Sequence, residues 1–536
     1  MPVPMHRRFR FAAVIAPAGL VLLASVLAPV GASSRRVAAG PPAAYGADIR
    51  RVAGCDAARG GATYTSKSSR SQHSAAVAPC LTYNFPQYGE GGIVVTKPVV
   101  LANGDVVPSA VMQSGAWPPR NSTLTDWGVG RSVDGGAHWQ DVMFPGDTIE
   151  PIGNSGGSDP GMIRDPHTTR VFEWSDGQLG FGSGPTGNIN ISFSDDNGET
   201  WVNNPGPDMQ FFPVWDAIVM FVGPPGPKAG ADHTAVQTAS YPDVVYLCGG
   251  GECFKSLDGG IIFTEIKDAA GTDEAGANGA IYAGPTGILY GLASGATKLS
   301  VSYDDGATWT STGQGTFAID HDCTRAGQSA PLVVDKLGDL YLGGMVNNRL
   351  GATYSRDGGA TWSKAVPLQM PEVAGVSNGN GGSTGTLCAF TADWDRPGHI
   401  AMSYIGYTAG NAGGAQHGYL TETSSIFAST PVFTTVQVDS NADPLFPNGP
   451  PCSFPPLNGA CVPHGFSRMD YLSVTISPVD GSPWALLFKD VCNAPACYNQ
   501  ANPSDPRGAV DNASGGYHWT SWRGAVATIA KTRTTG

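Results

Sequence analysis

Ser355-Arg-Asp357-Gly-Gly359-Ala-Thr-Trp362 is written five times in this chain with small changes. The other copies are Ser132-Val-Asp134-Gly-Gly136-Ala-His-Trp139, Ser194-Asp-Asp196-Asn-Gly198-Glu-Thr-Trp201, Ser256-Leu-Asp258-Gly-Gly260-Ile-Ile-Phe263 and Ser302-Tyr-Asp304-Asp-Gly306-Ala-Thr-Trp309. Their serines are 62, 62, 46 and 53 residues apart. A repeat at that period marks stacked supersecondary units. The pattern has a physical reading. Ser and Asp bond their own backbone and cap a turn. The glycine opens the backbone to φ > 0. The closing aromatic packs on a neighbouring strand. Each copy therefore reads as a rigid hairpin tip with an aromatic anchor.

Outside the repeats, short apolar or alternating runs recur between Gly, Asp and Asn clusters, as in Val244-Val-Tyr-Leu247 and Asp339-Leu-Tyr-Leu-Gly343. These are strand and turn signals. Of 536 residues, 73 are Gly and 42 are Pro, with 41% hydrophobic and 14% charged. That is too apolar for a disordered chain and too rich in turn formers for a helical bundle. The class is all-β.

The repeat resembles the Asp box, or BNR repeat, of the sialidase-like superfamily. The resemblance implies a β-propeller of four-stranded blades, with the box joining the two outer strands of each. About 56 residues per repeat gives six to eight blades, with seven favoured, in a single domain over residues 76–536. Residues 398–407 with Val432 to Val438 suggest one blade without a box. Tyr471 to Ile476 with Trp484 to Phe488 begin another, which the C-terminal end could share with the N-terminal strands. The tail from Pro447 to Asn499 resembles exported bacterial proteins grouped loosely with exo-sialidases.

Residues 1–32 read as an export signal. Arg7, Arg8 and Arg10 precede an apolar run, and Val30-Gly-Ala32 offers small residues for cleavage. Residues 33–75 read as a flexible lead-in. No later segment is long and apolar enough to span a membrane. The net charge of −13, with 31 Lys and Arg against 44 Asp and Glu, excludes a nucleic-acid footprint. A secreted monomer acting on or binding an extracellular glycan is expected. Ten cysteines in an exported chain favour disulfides. The close spacings suggest Cys248–Cys253, Cys452–Cys461 and Cys492–Cys497, then Cys55–Cys80, leaving Cys323–Cys388.

A sialidase needs arginines that clamp a carboxylate, a Tyr–Glu nucleophile pair and an Asp acid/base. The family's first arginine lies in an R-I-P motif, and here Thr96 stands at that position, followed by Lys97-Pro98. Arg164, Arg325, Arg349 and Arg468 are the remaining clamp candidates; Tyr404, Tyr407 and Tyr471 are possible nucleophiles. Polar clusters also recur before the repeats, where inner strands should begin. They are Asp159 with Arg164, Asp165 and His167; Asp232-His233; Asp320-His321-Asp322 with Arg325; and Arg468, Asp470 and Tyr471. Converging at one channel mouth, they could do acid/base work on a glycosidic bond. They could equally hold a divalent cation such as calcium, though no defined metal signature occurs. Three readings follow: a sialidase-like glycoside hydrolase, a non-catalytic propeller binding protein or glycan, and a metal-dependent hydrolase or lyase.

Overall fold

A computed structural model describes residues 63–65, 83–86, 91–102, 104, 106–114, 128–136, 140–142, 157–177, 188–204, 219–230, 241–249, 252–266, 280–292, 299–312, 321–322, 332–346, 349–368, 375–376, 388–407, 414–439, 441–442, 444–447, 472–490 and 522–529. Every regular element among them is a strand. Two short strands come first, β1 (Thr63–Thr65) and β2 (Tyr83–Pro86). Blade 1 is β3 (Gly91–Val100), β4 (Val106–Ser114), β5 (Gly128–Ser132) and β6 (Gln140–Val142). Blade 2 is β7 (Gly157–Arg164), β8 (Val171–Gly177), β9 (Asn188–Ser194) and β10 (Val202–Asn204). Blade 3 is β11 (Val219–Gly223), β12 (Val244–Gly249), β13 (Glu252–Ser256) and β14 (Thr264–Glu265). Blade 4 is β15 (Ala280–Ala283), β16 (Leu289–Leu292), β17 (Leu299–Ser302) and β18 (Thr310–Thr312).

In blade 5 the inner edge is divided. β19 (His321–Asp322) and β20 (Leu332–Val334) both pair β21 (Leu340–Val346), which is followed by β22 (Arg349–Ser355) and β23 (Val366–Pro367). In blade 6, β24 (Gly375–Val376) and β25 (Cys388–Ala392) both pair β26 (Ile400–Tyr407), followed by β27 (His417–Thr423) and β28 (Thr434–Gln437). Blade 7 is β29 (Ser473–Ile476), β30 (Pro483–Asp490) and β31 (Trp522–Thr528). Its fourth strand is β2, so chain ends from opposite extremes of the sequence share one sheet and close the ring. The fold is a seven-bladed β-propeller. β1 adds a fifth strand to blade 6 through β28. Thr63–Thr65 lies within the stretch expected as a lead-in, and Thr and Tyr are residue types that favour an edge strand.

The ladders are antiparallel throughout, which fixes two distinct ends of the ring. The first strand of each blade ends where the second begins, and the third ends at the same side. The first-to-second hairpins and the repeat turns thus share one face, the turn side. The innermost strands begin at the other, the start side.

The five repeats adopt one hydrogen-bonded turn. Ser Oγ donates to Asp Oδ1 at 2.7–3.0 Å, and the N–H of the glycine two residues after that Asp donates to the same Ser Oγ at 2.8–2.9 Å. That glycine has φ between +77° and +94° in every copy. It has to be bare for a second reason: a Cβ on Gly198 would lie 2.6 Å from Val111 of blade 1, and one on Gly359 would lie 2.3 Å from Leu299 of blade 4. The turn is thereby a wedge between blades. Blade 6 lacks the motif and substitutes Thr423 and Ser425, with Phe427 packed at Gly398.

The core lies between blades. Phe172, Trp174 and Phe193 of blade 2 meet Val245, Leu247 and Phe254 of blade 3. Tyr341 and Leu350 of blade 5 meet Phe390, Tyr404 and Tyr419 of blade 6. Blades 1, 6 and 7 share one large cluster around Trp484, Leu486 and Phe488. Each such side chain contributes roughly 1.5–3 kcal/mol when fully buried. Cys248–Cys253 forms the expected disulfide, directly across β12 and β13. Cys388 is also disulfide-bonded. The other expected pairings involve residues outside those described.

Candidate functional site

The seven inner strands line a central cavity of about 170 Å³. Its turn-side end is built from three first-to-second hairpins: Arg164-Asp-Pro166 of blade 2, Asp393-Trp-Asp395 of blade 6 and the hairpin containing Pro478 of blade 7. The His167 and Trp394 rings meet edge to face across the axis, with centroids 5.7 Å apart. This contact sets two rings at the turn-side mouth.

A hydrogen-bonded cluster surrounds that mouth. Asp165 is fully buried. Its Oδ1 accepts the N–H of His167 at 2.7 Å and of Thr168 at 3.2 Å. Its Oδ2 accepts the hydroxyls of Thr168, at 2.8 Å, and Tyr241. An Asp before Pro-His-Thr makes this turn because its side chain mimics a backbone acceptor. His167 Nδ1 lies 2.8 Å from Asp243 Oδ2 of blade 3. The hydrogen bond to Asp243, outweighing burial, raises the His167 pKa. Burial, first of all, raises that of Asp243 despite His167. Arg170 continues the network: it binds Asp195 through two nitrogens at 2.7 and 2.8 Å, donates to the Gly259 carbonyl, and stacks on Phe193 and Tyr241.

Asp165, His167 and Asp243 offer ligand atoms within 4.8 Å of one another. The donor set fits a metal poorly. Both Asp165 oxygens are taken by four protein donors, and His167 and Asp243 bind each other. Calcium wants six to eight oxygens, and a cation here would have to displace the bonds that hold blades 2 and 3 together. The cluster is a hydrogen-bonded pillar.

Blade 6 carries a second buried relay. His399 Nδ1 lies 3.0 Å from Asp393 Oδ2, and its Nε2 lies 3.0 Å from Glu422 Oε2; Arg396 also binds Asp393 at 2.8 Å. Burial alone would lower the His399 pKa, but the bonds to Asp393 and Glu422 and their charges outweigh it, and the pKa is raised. A raised folded-state pKa gives stability that is fully present below the unfolded value, about 6.5, and is lost as pH rises through the folded value. The melting-temperature advantage of the native chain over His399→Gln is accordingly expected to be greatest near pH 5.5–6 and to shrink toward pH 8.5. An advantage that grows with pH would contradict it.

The structure divides the sequence-predicted site residues between the two faces. Asp159 lies in the starting half of β7, between register pairs Ser158↔Asp176 and Gly161↔Trp174. Asp322 lies on β19, paired to Gly344 beyond the β20 segment of the same inner edge. Both belong to the start side. Arg164 and Asp165 do not join them. Arg164 ends the same strand, about 16 Å from Asp159 at ~3.3 Å per residue, and Asp165 opens the turn-side hairpin. Asp232, His233, Asp320, Arg325, Arg468, Asp470 and Tyr471 lie outside the described residues. Thr96 is buried in blade 1 with its Oγ1 2.6 Å from Ser109 Oγ. Tyr404 is buried and stacked on Tyr419, with centroids 5.1 Å apart, a packing role rather than a nucleophile's. Arg349 is exposed at the start of β22, and Tyr407 is half-buried at the end of β26.

Asp243, Trp394, His399 and Glu422 escaped the sequence reading. A local signal existed only for His399: Asp165, Asp335 and Asp393 each open a hairpin whose N–H closes onto a carbonyl four to six residues later, at Arg170, Asp339 and His399.

No family model matches the sequence, and no curated protein matches it. Among solved structures, a protein of unknown function from Dyadobacter fermentans is 12% identical, with 83% of this chain and 99% of that one covered and a TM-score of 0.31. The Hadza microbial sialidase Hz136 is 15% identical, with 74% and 63% covered and a TM-score of 0.32. An alpha-L-arabinofuranosidase from Fusarium graminearum is 11% identical, with 66% and 94% covered and a TM-score of 0.34.

Proposed function

We propose that this chain is an exported propeller glycosidase, working as a monomer on extracellular glycans from the start-side mouth of its channel. The observation that carries the reading is the position of Asp159 and Asp322. They sit on innermost strands of blades 2 and 5, at the same end of the ring. Two aspartates whose backbone positions share one end of the ring are the residue type that acid/base attack on a glycosidic bond requires, one to protonate the leaving oxygen and one to activate water or attack the sugar carbon. Export of the chain, read from residues 1–32, would put it where such glycans are.

Thr96 refines the substrate. Its hydroxyl is engaged with Ser109, and it supplies no guanidinium where the resembling family has one. A neutral glycoside is therefore expected to be a better substrate than a sialoside. The test is hydrolysis of a panel of fluorogenic glycosides, sialoside included, by purified protein with and without chelator. Cleavage of a neutral glycoside unaffected by chelator is expected. Preference for the sialoside would place a carboxylate clamp elsewhere on the ring. Silence across the panel would favour the propeller as a glycan- or protein-binding module, and loss with chelator would favour a metal-dependent enzyme.

A further inference from the structure

Every innermost strand has a single ladder partner, on its outer side. The edge it turns to the axis therefore carries N–H and C=O groups that no ladder pairs. The side chains lining the cavity between these edges are of both kinds. Ile163, Val222, Val334 and Pro478 supply apolar wall from blades 2, 3, 5 and 7, and Trp394 adds an aromatic ring. Thr391, Ser473 and Thr475 add hydroxyls, and Arg164, Asp393 and Asp395 add charges.

The charges are balanced within the protein. Burial lowers the Arg164 pKa, and the fields of Asp395, Asp165 and Asp393 oppose that. Asp393 is bound in addition by Arg396 and His399, and Asp395 faces Lys336 at 3.7 Å. An added anion would meet these aspartates, and an added cation would meet Arg164. The lining therefore suits a neutral occupant.

Its hydrogen-bonding groups are not all engaged. Thr475 Oγ1 and Trp394 Nε1 make no hydrogen bond among the described residues, and Thr391 Oγ1 has only a 3.5 Å approach to the Ala392 carbonyl. A purely apolar occupant would leave these groups and the strand edges without partners. A hydroxyl both donates and accepts, so a ring carrying several of them meets donors and acceptors alike. The C–H face of such a ring packs on the apolar wall. The cavity volume is about 170 Å³. That is below the ~300–1,000 Å³ of sites for drug-sized ligands, which limits the occupant to a single small ring.

We propose that this half of the channel binds one small neutral polyhydroxylated ring, a monosaccharide or a cyclitol, with its hydroxyls on Thr391, Thr475 and Trp394 Nε1 and its carbon face against the inner-strand side chains. The site lies toward the turn side, away from Asp159 and Asp322, and it stands whether or not the glycosidase reading does. It involves no covalent step.

Isothermal titration of the full chain at pH 7 with D-glucose and with myo-inositol tests it, with D-glucuronate, D-glucosamine and cyclohexanol as comparison probes. One-to-one binding of glucose or inositol is expected, about tenfold or more tighter than each comparison probe. Thr475→Val removes a hydroxyl at nearly constant volume, and Trp394→Phe removes the Nε1 donor but keeps a ring beside His167. Each should weaken binding about tenfold while keeping the native melting transition. Asp159→Asn should bind as the native chain does. No binding of either neutral ring overturns the proposal and leaves the cavity to water. Equal affinity for glucuronate or glucosamine overturns the neutral assignment, and equal affinity for cyclohexanol overturns recognition through several hydroxyls. Unchanged binding by both folded turn-side variants, or loss in Asp159→Asn alone, places the ring elsewhere and overturns the site.

Discussion

Deleting residues 1–86 is expected to abolish the cooperative unfolding transition, or to lower it by on the order of 10 °C or more, whereas deleting residues 1–62 leaves it nearly unchanged. The difference is β2. Tyr83 and Pro86 pair with Ala525 and Arg523, and that ladder is what supplies blade 7 with its outer strand. Without it, β31 becomes an open edge of unpaired N–H and C=O groups, in a blade whose Trp484, Leu486 and Phe488 anchor the cluster shared with blades 1 and 6. The loss therefore reaches three blades. Deletion through residue 66 removes β1 as well but spares β2, and should cost little, because β28 keeps its ladder to β27. Thermal unfolding followed by circular dichroism separates the three deletion variants. Equal stability of the 1–62 and 1–86 deletions would contradict closure by β2.

Asp305→Ala is expected to destabilise the fold by about 3–5 kcal/mol. In the fourth repeat this position holds Asp where three of the others hold Gly, and its φ is +57°. The side chain is fully buried and turns back toward blade 3. Its Oδ1 accepts the Gly226 N–H at 2.7 Å and the Tyr246 hydroxyl at 3.0 Å, and Lys255 Nζ lies 3.5 Å from Oδ2. Alanine removes the acceptor for two buried donors and the carboxylate that Lys255 faces, and it places a Cβ residue with no stabilising side-chain bond at positive φ. Asp305→Asn keeps an acceptor and a residue tolerant of that backbone, so it should cost less than half as much. Urea titration of the two variants measures both effects. A loss below 1 kcal/mol for alanine would show that the link between blades 3 and 4 does not depend on Asp305.

The repeat made the architecture legible because its physics is local. Ser, Asp and Gly at fixed spacing close the same turn wherever they occur, and the count of repeats and intervals bounds the ring. Sharing of the last blade by both chain ends was also readable, from strand-like runs left without partners. The site was harder. Asp159, Arg164 and Asp165 look like one cluster in sequence, but an extended strand runs between the first and the other two and delivers them to opposite faces. Asp165-Pro-His-Thr168 carried a turn signature that separates it from a channel-mouth acid. Asp243 and Trp394 meet His167 from blades 3 and 6, and pairings between blades leave no mark in any local stretch.

The most direct test of the working face compares turnover of the best glycoside from the panel by four variants. Asp159→Asn and Asp322→Asn alter the start side; Arg164→Gln and Asp165→Asn alter the turn side. The two start-side changes are predicted to lower kcat about 10²–10⁴-fold, with native melting behaviour. The turn-side changes are predicted to leave kcat within a few-fold, even if Asp165→Asn melts earlier. Full activity in both start-side variants, or collapse of kcat in a folded turn-side variant, would contradict the assignment of the reaction to the start-side mouth.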